Sequence, residues 1–166
     1  MSPDELKLLA YHQEIEIHPS TNLPTLHLLE TDYGPLSPHI SAKVPIHTAL
    51  FLHNTNLCKI PLPFFLSLDY LRAVKQAEKQ HVNEYSPIYP YIFEVYDDLL
   101  RCVDGRVEEI RMVISEIKDI RMEKSRRGLV SIDGRALNLN NLTVYEYEQL
   151  KSMILDGMEM ALKMEK

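Results

Sequence analysis

The sequence predicts an α+β protein, in which a small β-rich module at the N-terminus precedes a mostly α-helical domain. Two observations support this class. Residues 1–62 contain short stretches of alternating polar and apolar side chains, interrupted by prolines, which is typical of short strands and turns. Over residues 63–166, apolar residues recur at intervals of three and four, the period of an α-helix. We therefore predict one module at 1–62 and a helical domain at 63–166.

The N-terminal module begins with a predicted helix. Ser2, Pro3 and Glu5 have the spacing of a capping box with proline at the first helical position, and the helix is expected to end near Tyr11. The segments after this helix are predicted as strands at 14–19 and 25–30, an irregular loop at 33–39, a helix at 44–53 that tolerates Pro45 at its start, and a third short strand at 57–63.

Four helices are predicted in the second part of the chain. Ser67 is the expected N-cap of the first, and Gly105 is the expected end of the second. The third helix, from residue 107 to about 127, carries a line of isoleucines and valines that predicts one buried face. A glycine- and asparagine-containing connection follows, and Thr143 with Glu146 forms a second capping box at the start of the last helix.

The last helix is apolar over an arc too wide for the surface of a small monomer. We therefore expect it to pack on two sides, one of which belongs to another chain. The residues predicted to lie at this subunit interface are Tyr147, Leu150, Ile154 and Met158.

Composition limits the classes of function. The formal net charge of −6 argues against broad attraction to nucleic acid, because such affinity depends mainly on lysine and arginine. A local exception is the stretch 118–127, whose five basic and two acidic residues give a net charge of +3. No apolar run is long enough to cross a membrane, and the acidic N-terminal segment is unlike a signal or transit peptide. Cys58 and Cys102 predict reduced structural thiols, with one disulfide as the alternative.

No catalytic motif is present, so we predict that the protein is not an enzyme and needs no cofactor. Five glycines among 166 residues leave little backbone suited to holding a phosphate, and the sequence has no nucleophile elbow. A metal site is not predicted either, because the histidines lack the spacing of a ligand pair. Six of the seven lie in the first module, at positions 12, 18, 27, 39, 47 and 53.

The order of several motifs resembles that of the Psf-two subunit family of GINS, the four-subunit eukaryotic replication complex. The similarity covers about 140 residues and is carried by YGPLSP at 33–38, VPIHTALFL at 44–52, CKIPLP at 58–63, EEIRMVISEIKDIRMEKSR at 108–126 and LNNLTVYE at 139–146.

This resemblance implies a GINS fold with its β-rich module before its helical module. It also implies a non-catalytic subunit of a heterotetramer in the nucleus. The expected partners are the three other GINS subunits, the Cdc-forty-five protein and the Mcm ring, which together form the replicative DNA helicase for the initiation and elongation of chromosomal replication.

The charged side of the third long helix supplies further interface candidates. Spacings of seven and three place Arg111, Lys118 and Arg121 on a common side, next to Asp119 and followed by Lys124, where arginine could pair with a carboxylate of another chain. The alternative is a solvated charged face, in which each exposed pair contributes under about 1 kcal/mol. A second alternative is a nucleic-acid-binding adaptor, in which Arg126 and Arg127 at the basic helix end contact DNA.

Overall fold

The first helix begins where its capping box predicts. In the computed structural model, which describes residues 2–28, 31–38, 40–130 and 140–164, helix α1 spans Pro3–Tyr11. The Glu5 amide donates to the Ser2 hydroxyl at 3.2 Å, and the Ser2 amide donates to the Glu5 carboxylate at 2.8 Å. These reciprocal bonds satisfy two amide donors that have no partner inside the helix.

A three-stranded antiparallel sheet has β1 at its centre. Within the described residues the strands are β1 Glu14–Pro19, β2 Leu26–His27, β3 Asp32–Tyr33, β4 Ala42–Pro45 and β5 Cys58–Lys59. Strand β1 pairs with β4 on one side and with β5 on the other. Its burial alternates as the sequence predicts, with Ile15 and Ile17 buried while Glu14 and Glu16 are exposed.

The described part of the strand predicted over 25–30 is β2, which pairs with β3 in a separate two-stranded sheet. Tyr33 of β3 begins the segment predicted as an irregular loop. Gly34 follows β3 with a φ of +115°, and a Cβ there would meet the Leu36 amide nitrogen at 3.2 Å. The chain therefore needs glycine at this turn, because other residues rarely adopt that conformation.

The helices follow the predicted pattern with small changes at their ends. Their bounds are α2 Ile46–Asn54, α3 Leu68–Gln80, α4 Ile92–Leu100, α5 Val107–Val130 and α6 Val144–Met164, with a short 3-10 turn at Phe64–Leu66. Ser67 caps α3 as expected, accepting a hydrogen bond from the Tyr70 amide at 3.4 Å. Helix α4 ends before Gly105, which instead has a φ of +135° in the connection to α5.

The chain divides into two compact units. The N-terminal unit contains residues 2–66 and 93–107, and the helical unit contains residues 67–92 and the chain from residue 108 onward. Most of α4 thus belongs to the N-terminal unit, where Lys7 Nζ lies 2.8 Å from Asp98 Oδ2 and the Tyr11 hydroxyl also donates to Asp98. A small sheet in the N-terminal half and a mostly helical second half confirm the predicted α+β class.

Candidate subunit interface

The start of α6 is fixed by its own capping box. The Glu146 amide donates to the Thr143 hydroxyl at 3.3 Å, while Glu146 Oε2 accepts from the Thr143 amide at 3.0 Å and from its hydroxyl at 2.8 Å. Both residues are buried. The cap therefore holds the Glu146 carboxylate in one orientation inside the helical unit.

This carboxylate faces Arg121 of α5. Arg121 Nε donates to Glu146 Oε1 at 2.6 Å and Nη2 donates to Oε2 at 2.8 Å, so the pair is bidentate. The Arg121 side chain has no solvent exposure. Buried guanidinium groups are tolerated only when they are paired and hydrogen-bonded, and the two parallel bonds meet part of that requirement.

The remaining donors of Arg121 are also satisfied. Nη1 donates to the Glu78 carboxylate of α3 and to the Ser86 carbonyl at 3.1 Å, and Nη2 donates to the Asn141 carbonyl at 2.7 Å. With the two bonds to Glu146, five hydrogen bonds match the five N–H groups of a guanidinium. Arg121 thereby connects α3, α5, α6 and two loop segments of the helical unit.

A second cation completes what we term the Arg121 cluster: Arg121, Lys124, Glu78 and Glu146. Lys124 Nζ forms an ion pair with Glu78 and donates to the Glu84 carbonyl at 2.8 Å. Burial alone would lower the pKa of Arg121, but the Glu146 and Glu78 carboxylates outweigh it and the pKa is raised. Two cations face two carboxylates, so the cluster is electrically balanced.

Tyr85 borders the cluster. Its ring centroid lies 4.9 Å from the guanidinium carbon of Arg121, and its hydroxyl is 2.9 Å from the Ser125 hydroxyl. Burial is the main reason that the pKa of the Tyr85 phenol is raised. The aromatic face adds a cation–π contact and keeps water away from the guanidinium.

The pairing of Glu78 with Arg121 was not predicted from the sequence. The signal was present, because Glu78 follows Leu71 and Val74 at spacings of three and four on the buried side of α3. A carboxylate in such a line is almost never buried without a partner. It therefore indicates a cation on a neighbouring element of the same fold.

Several predicted interface residues lie inside the chain. Arg121 was expected to pair with a carboxylate of another chain, but its partners are Glu78 and Glu146 of this chain. The Lys124 side chain is 8% exposed and pairs with Glu78, which also belongs to this chain. Leu150 and Ile154 form the buried line of α6. These four side chains contribute to the fold of the helical unit, and their predicted role at a subunit interface stays a prediction.

Other candidates lie at or near the surface. Asp119 is exposed, while Arg111 and Lys118 are half-buried. Lys118 Nζ donates to the Tyr145 hydroxyl at 2.9 Å. Tyr147 is exposed on α6. The side chain of Met158 lies outside the described residues, so its predicted position stays a prediction.

Internal pairing reduces the charge available to DNA in the basic stretch 118–127. Arg121 and Lys124 are neutralised by buried carboxylates, and Arg127 Nε lies 3.0 Å from Glu123 Oε1. Arg126 is exposed at the same end of α5. Since phosphate affinity grows with the number of contacting cations, this geometry does not favour the nucleic-acid-binding alternative.

Helix α6 has apolar side chains in solvent on either side of its buried line. Met153 is 52% exposed and Leu155 is 57% exposed. On α5, Met112 is 66% exposed and points away from the core face. Met153 and Leu155 agree with the expectation that the last helix is apolar on more than its core side. Together with Met112 they provide exposed apolar surface suited to a partner chain.

A shallow groove of about 370 Å³ lies between α3 and α5. Val82 and Ile120 contribute apolar surface, and Asp119 lies among the charged side chains around them. The other lining residues are Glu78, Lys79, Glu123, Lys124 and Arg127. Apolar surface among charges of both signs is typical of protein interfaces.

No group of three or more histidine, cysteine, aspartate or glutamate side chains in the described part of the chain could hold a metal ion. None of the described helices is long and apolar enough to cross a membrane.

Comparison with known families defines the class of protein. The family described as "GINS complex protein helical bundle domain" matches residues 65–165, and that described as "PSF2 N-terminal domain" matches residues 2–61. The chain is thus a GINS-type protein, with its β-rich module before its helical module. No enzymatic family is among these matches.

Individual relatives are similar to this chain over most of its length. The chain is similar to the "Probable DNA replication complex GINS protein PSF2" of Encephalitozoon cuniculi, at 40% identity over 99% of this chain and 95% of the relative. It is 27% identical to the corresponding protein of Schizosaccharomyces pombe, covering 95% of this chain and 87% of the relative. For the human protein the identity is 26%, covering 88% and 82%. The chain belongs to the PSF2 family of GINS proteins.

Proposed function

We propose that this chain is a non-catalytic structural subunit of a heterotetrameric GINS complex. The observation that carries this proposal is the 40% identity to a GINS protein over 99% of the chain. The complex that contains this chain joins the Cdc-forty-five protein and the Mcm ring to form the replicative DNA helicase. It acts in the nucleus during the initiation and elongation of replication. The matched ranges support a division into modules at 1–62 and 63–166.

The helical unit provides the proposed contacts with the other GINS subunits. Apolar side chains on α6 would lose their water contact in the assembly, and about 25 cal/mol is gained for each Å² of apolar surface so buried. Arg111, Lys118 and Asp119 on α5 and Tyr147 on α6 remain proposed interface residues, together with the sequence-based candidate Met158. The Arg121 cluster has a different role, since it keeps α3, α5 and α6 in one arrangement.

Co-expression of this chain with the three other GINS subunits tests the proposal. A tag on this chain is expected to recover all four subunits in equal amounts through size-exclusion chromatography. Recovery of this chain alone, as a stable and cooperatively folded monomer, would overturn it. Salt-dependent binding of the purified chain to DNA, lost on neutralising Arg126 and Arg127, would instead support the nucleic-acid-binding alternative.

A surface variant separates assembly from folding. The double substitution Met153→Glu with Leu155→Glu places charge where the proposed interface is apolar, so recovery of partner subunits should fall while helix content is unchanged. Lys151→Glu is the matched control, because this side chain is exposed on the same helix. Equal recovery of partners by the double variant and the control would show that this part of α6 is not an interface.

A further inference from the structure

Two histidines of the N-terminal unit face each other at the surface. His12 caps the C-terminal end of α1, and His47 is the second residue of α2. Their ring centroids are 5.5 Å apart and their planes are inclined by 53°. Both residues are exposed. Their sequence spacing does not indicate a pair, because 34 residues separate them.

Hydrogen bonds to the backbone determine the tautomer of each ring. His12 Nδ1 is 2.8 Å from the Leu8 carbonyl oxygen, and His47 Nδ1 is 3.1 Å from the Tyr11 carbonyl oxygen. A carbonyl can only accept, so Nδ1 must carry the hydrogen in both rings. In each neutral imidazole the lone pair then lies on Nε2. Metal-binding histidines are commonly oriented in this way, by donation from the other ring nitrogen to a carbonyl.

The separation of the rings agrees with metal binding. Two imidazoles bound to one tetrahedral zinc ion, with Zn–N distances of about 2.05 Å, have ring centroids about 5 Å apart. The observed 5.5 Å differs from this by a few tenths of an ångström. Parallel stacking would need the two planes to be aligned, and they are tilted instead.

The surroundings of the pair also favour a cation. The last turn of a helix concentrates the partial negative charge of carbonyl groups that have no partner inside the helix. Both histidines hydrogen-bond to carbonyls of the last turn of α1, and that turn contains no lysine or arginine. A bound dication would interact favourably with this helix end.

We propose that His12 and His47 form an open two-histidine site for a divalent transition cation of the zinc type. The two Nε2 atoms are the protein ligands, and water fills the remaining positions. With two protein ligands the site is more open than closed four-ligand structural sites, and it keeps one more water position than three-ligand catalytic sites. Imidazole suits zinc, copper and nickel, whereas calcium and magnesium prefer oxygen ligands, so only the first group should bind.

Isothermal titration calorimetry of the full-length chain with Zn²⁺ at pH 7.5 tests the site. The chain is used alone or co-purified with its partner subunits, and every variant is compared with the wild type in the same form. One zinc ion should bind per chain, and Mg²⁺ should not compete. His12→Asn and His47→Asn should each weaken binding by at least about tenfold, because either change leaves a single imidazole without chelation.

The variants are chosen to leave the fold intact. Asparagine retains an N–H donor for the backbone carbonyl and removes only the Nε2 ligand. His81→Asn is the matched control, an exposed histidine in the helical unit, and it should bind zinc as the wild type does. The proposal is overturned if the wild type binds no zinc up to 1 mM (about −4 kcal/mol). It is also overturned if both single variants, His12→Asn and His47→Asn, bind zinc as tightly as the wild type does. A loss of zinc affinity in His81→Asn as large as in those two variants would overturn it as well.

Discussion

Arg121 and Glu146 form a bidentate, solvent-excluded ion pair between α5 and α6, at distances of 2.6 Å and 2.8 Å. The two residues are 25 positions apart in sequence. Because the carboxylate is oriented by the cap of its own helix, the position of α6 depends on an electrostatic contact as well as on apolar packing.

Replacement of Arg121 should destabilise the protein strongly. Arg121→Met leaves the Glu78 and Glu146 carboxylates buried with much less compensating charge, so the free energy of unfolding should fall by about 3–5 kcal/mol. Urea denaturation followed by circular dichroism measures this. Arg126→Met, at an exposed position of the same helix, should change stability by less than about 0.5 kcal/mol. Equal effects of the two substitutions would show that the cluster does not contribute to stability.

Loss of the cap on α6 should have a smaller effect. Thr143→Ala removes the acceptor of the Glu146 amide and one donor to the Glu146 carboxylate, and should cost about 1–2 kcal/mol. Thr143→Ser keeps the hydroxyl and should retain most of that stability. Because Glu146 also holds Arg121, Thr143→Ala and Arg121→Met should not be additive in a double-mutant cycle. Strict additivity would contradict the coupling.

Asp98 should make the stability of the N-terminal unit depend on pH. Burial alone would raise the pKa of this carboxyl, but hydrogen bonds from Lys7 and Tyr11 outweigh it, and the pKa is lowered. The unfolded chain then binds more protons, so the contribution of Asp98 is present above about pH 4 and is lost as the pH falls through the folded pKa.

Unfolding experiments from pH 6 to pH 2.5 measure this dependence. Asp98→Asn should lower stability at pH 6 and should flatten the decline below pH 4. Asp104→Asn is the control, since Asp104 is an exposed carboxylate of the same unit. An unchanged acid profile in Asp98→Asn would contradict the predicted role of the Lys7 and Tyr11 contacts.

The thiol of Cys58 should react slowly in the folded protein. Burial raises its pKa to about 11, whereas an exposed thiol titrates near pH 8.5. Since the thiolate is the nucleophile, alkylation by iodoacetamide at pH 8 should be at least about a hundredfold slower than in urea-unfolded protein. Mass spectrometry of a Cys102→Ala variant isolates Cys58. Equal rates in folded and unfolded protein would show that the thiol is not buried.

Helix starts were predictable because capping is local chemistry. Each predicted N-cap directly precedes its helix in the structure, at Ser2, Ser67 and Thr143. The caps are predictable because a short polar side chain satisfies amides only two or three residues away. The line of Ile110, Ile114 and Ile117 on α5 was likewise predicted, because one helix face is defined by spacing alone.

Pairing between distant segments was less predictable. Strand β4, which forms one edge of the three-stranded sheet, is not predicted, and its last two residues fall within the helix predicted over 44–53, because Ala42–Pro45 is too short to show alternation. The sequence predicts Arg121 as one of several interface candidates that could pair with a carboxylate of another chain, whereas its partners Glu78 and Glu146 lie in this chain. Spacing on one helix defines a face, and it does not identify what lies opposite that face.

The order of synthesis determines when each partner of Arg121 becomes available. A ribosome releases α3 and α5 before α6, so Arg121 is available to Glu78 well before Glu146 has been translated. Until then the guanidinium lacks the bidentate acceptor and the Asn141 carbonyl that satisfy it in the folded chain. A nascent or truncated chain that ends before residue 146 therefore retains an unbalanced cation where the finished protein excludes water. The first turn of α6 supplies the second carboxylate, and only then do the charges of the Arg121 cluster balance.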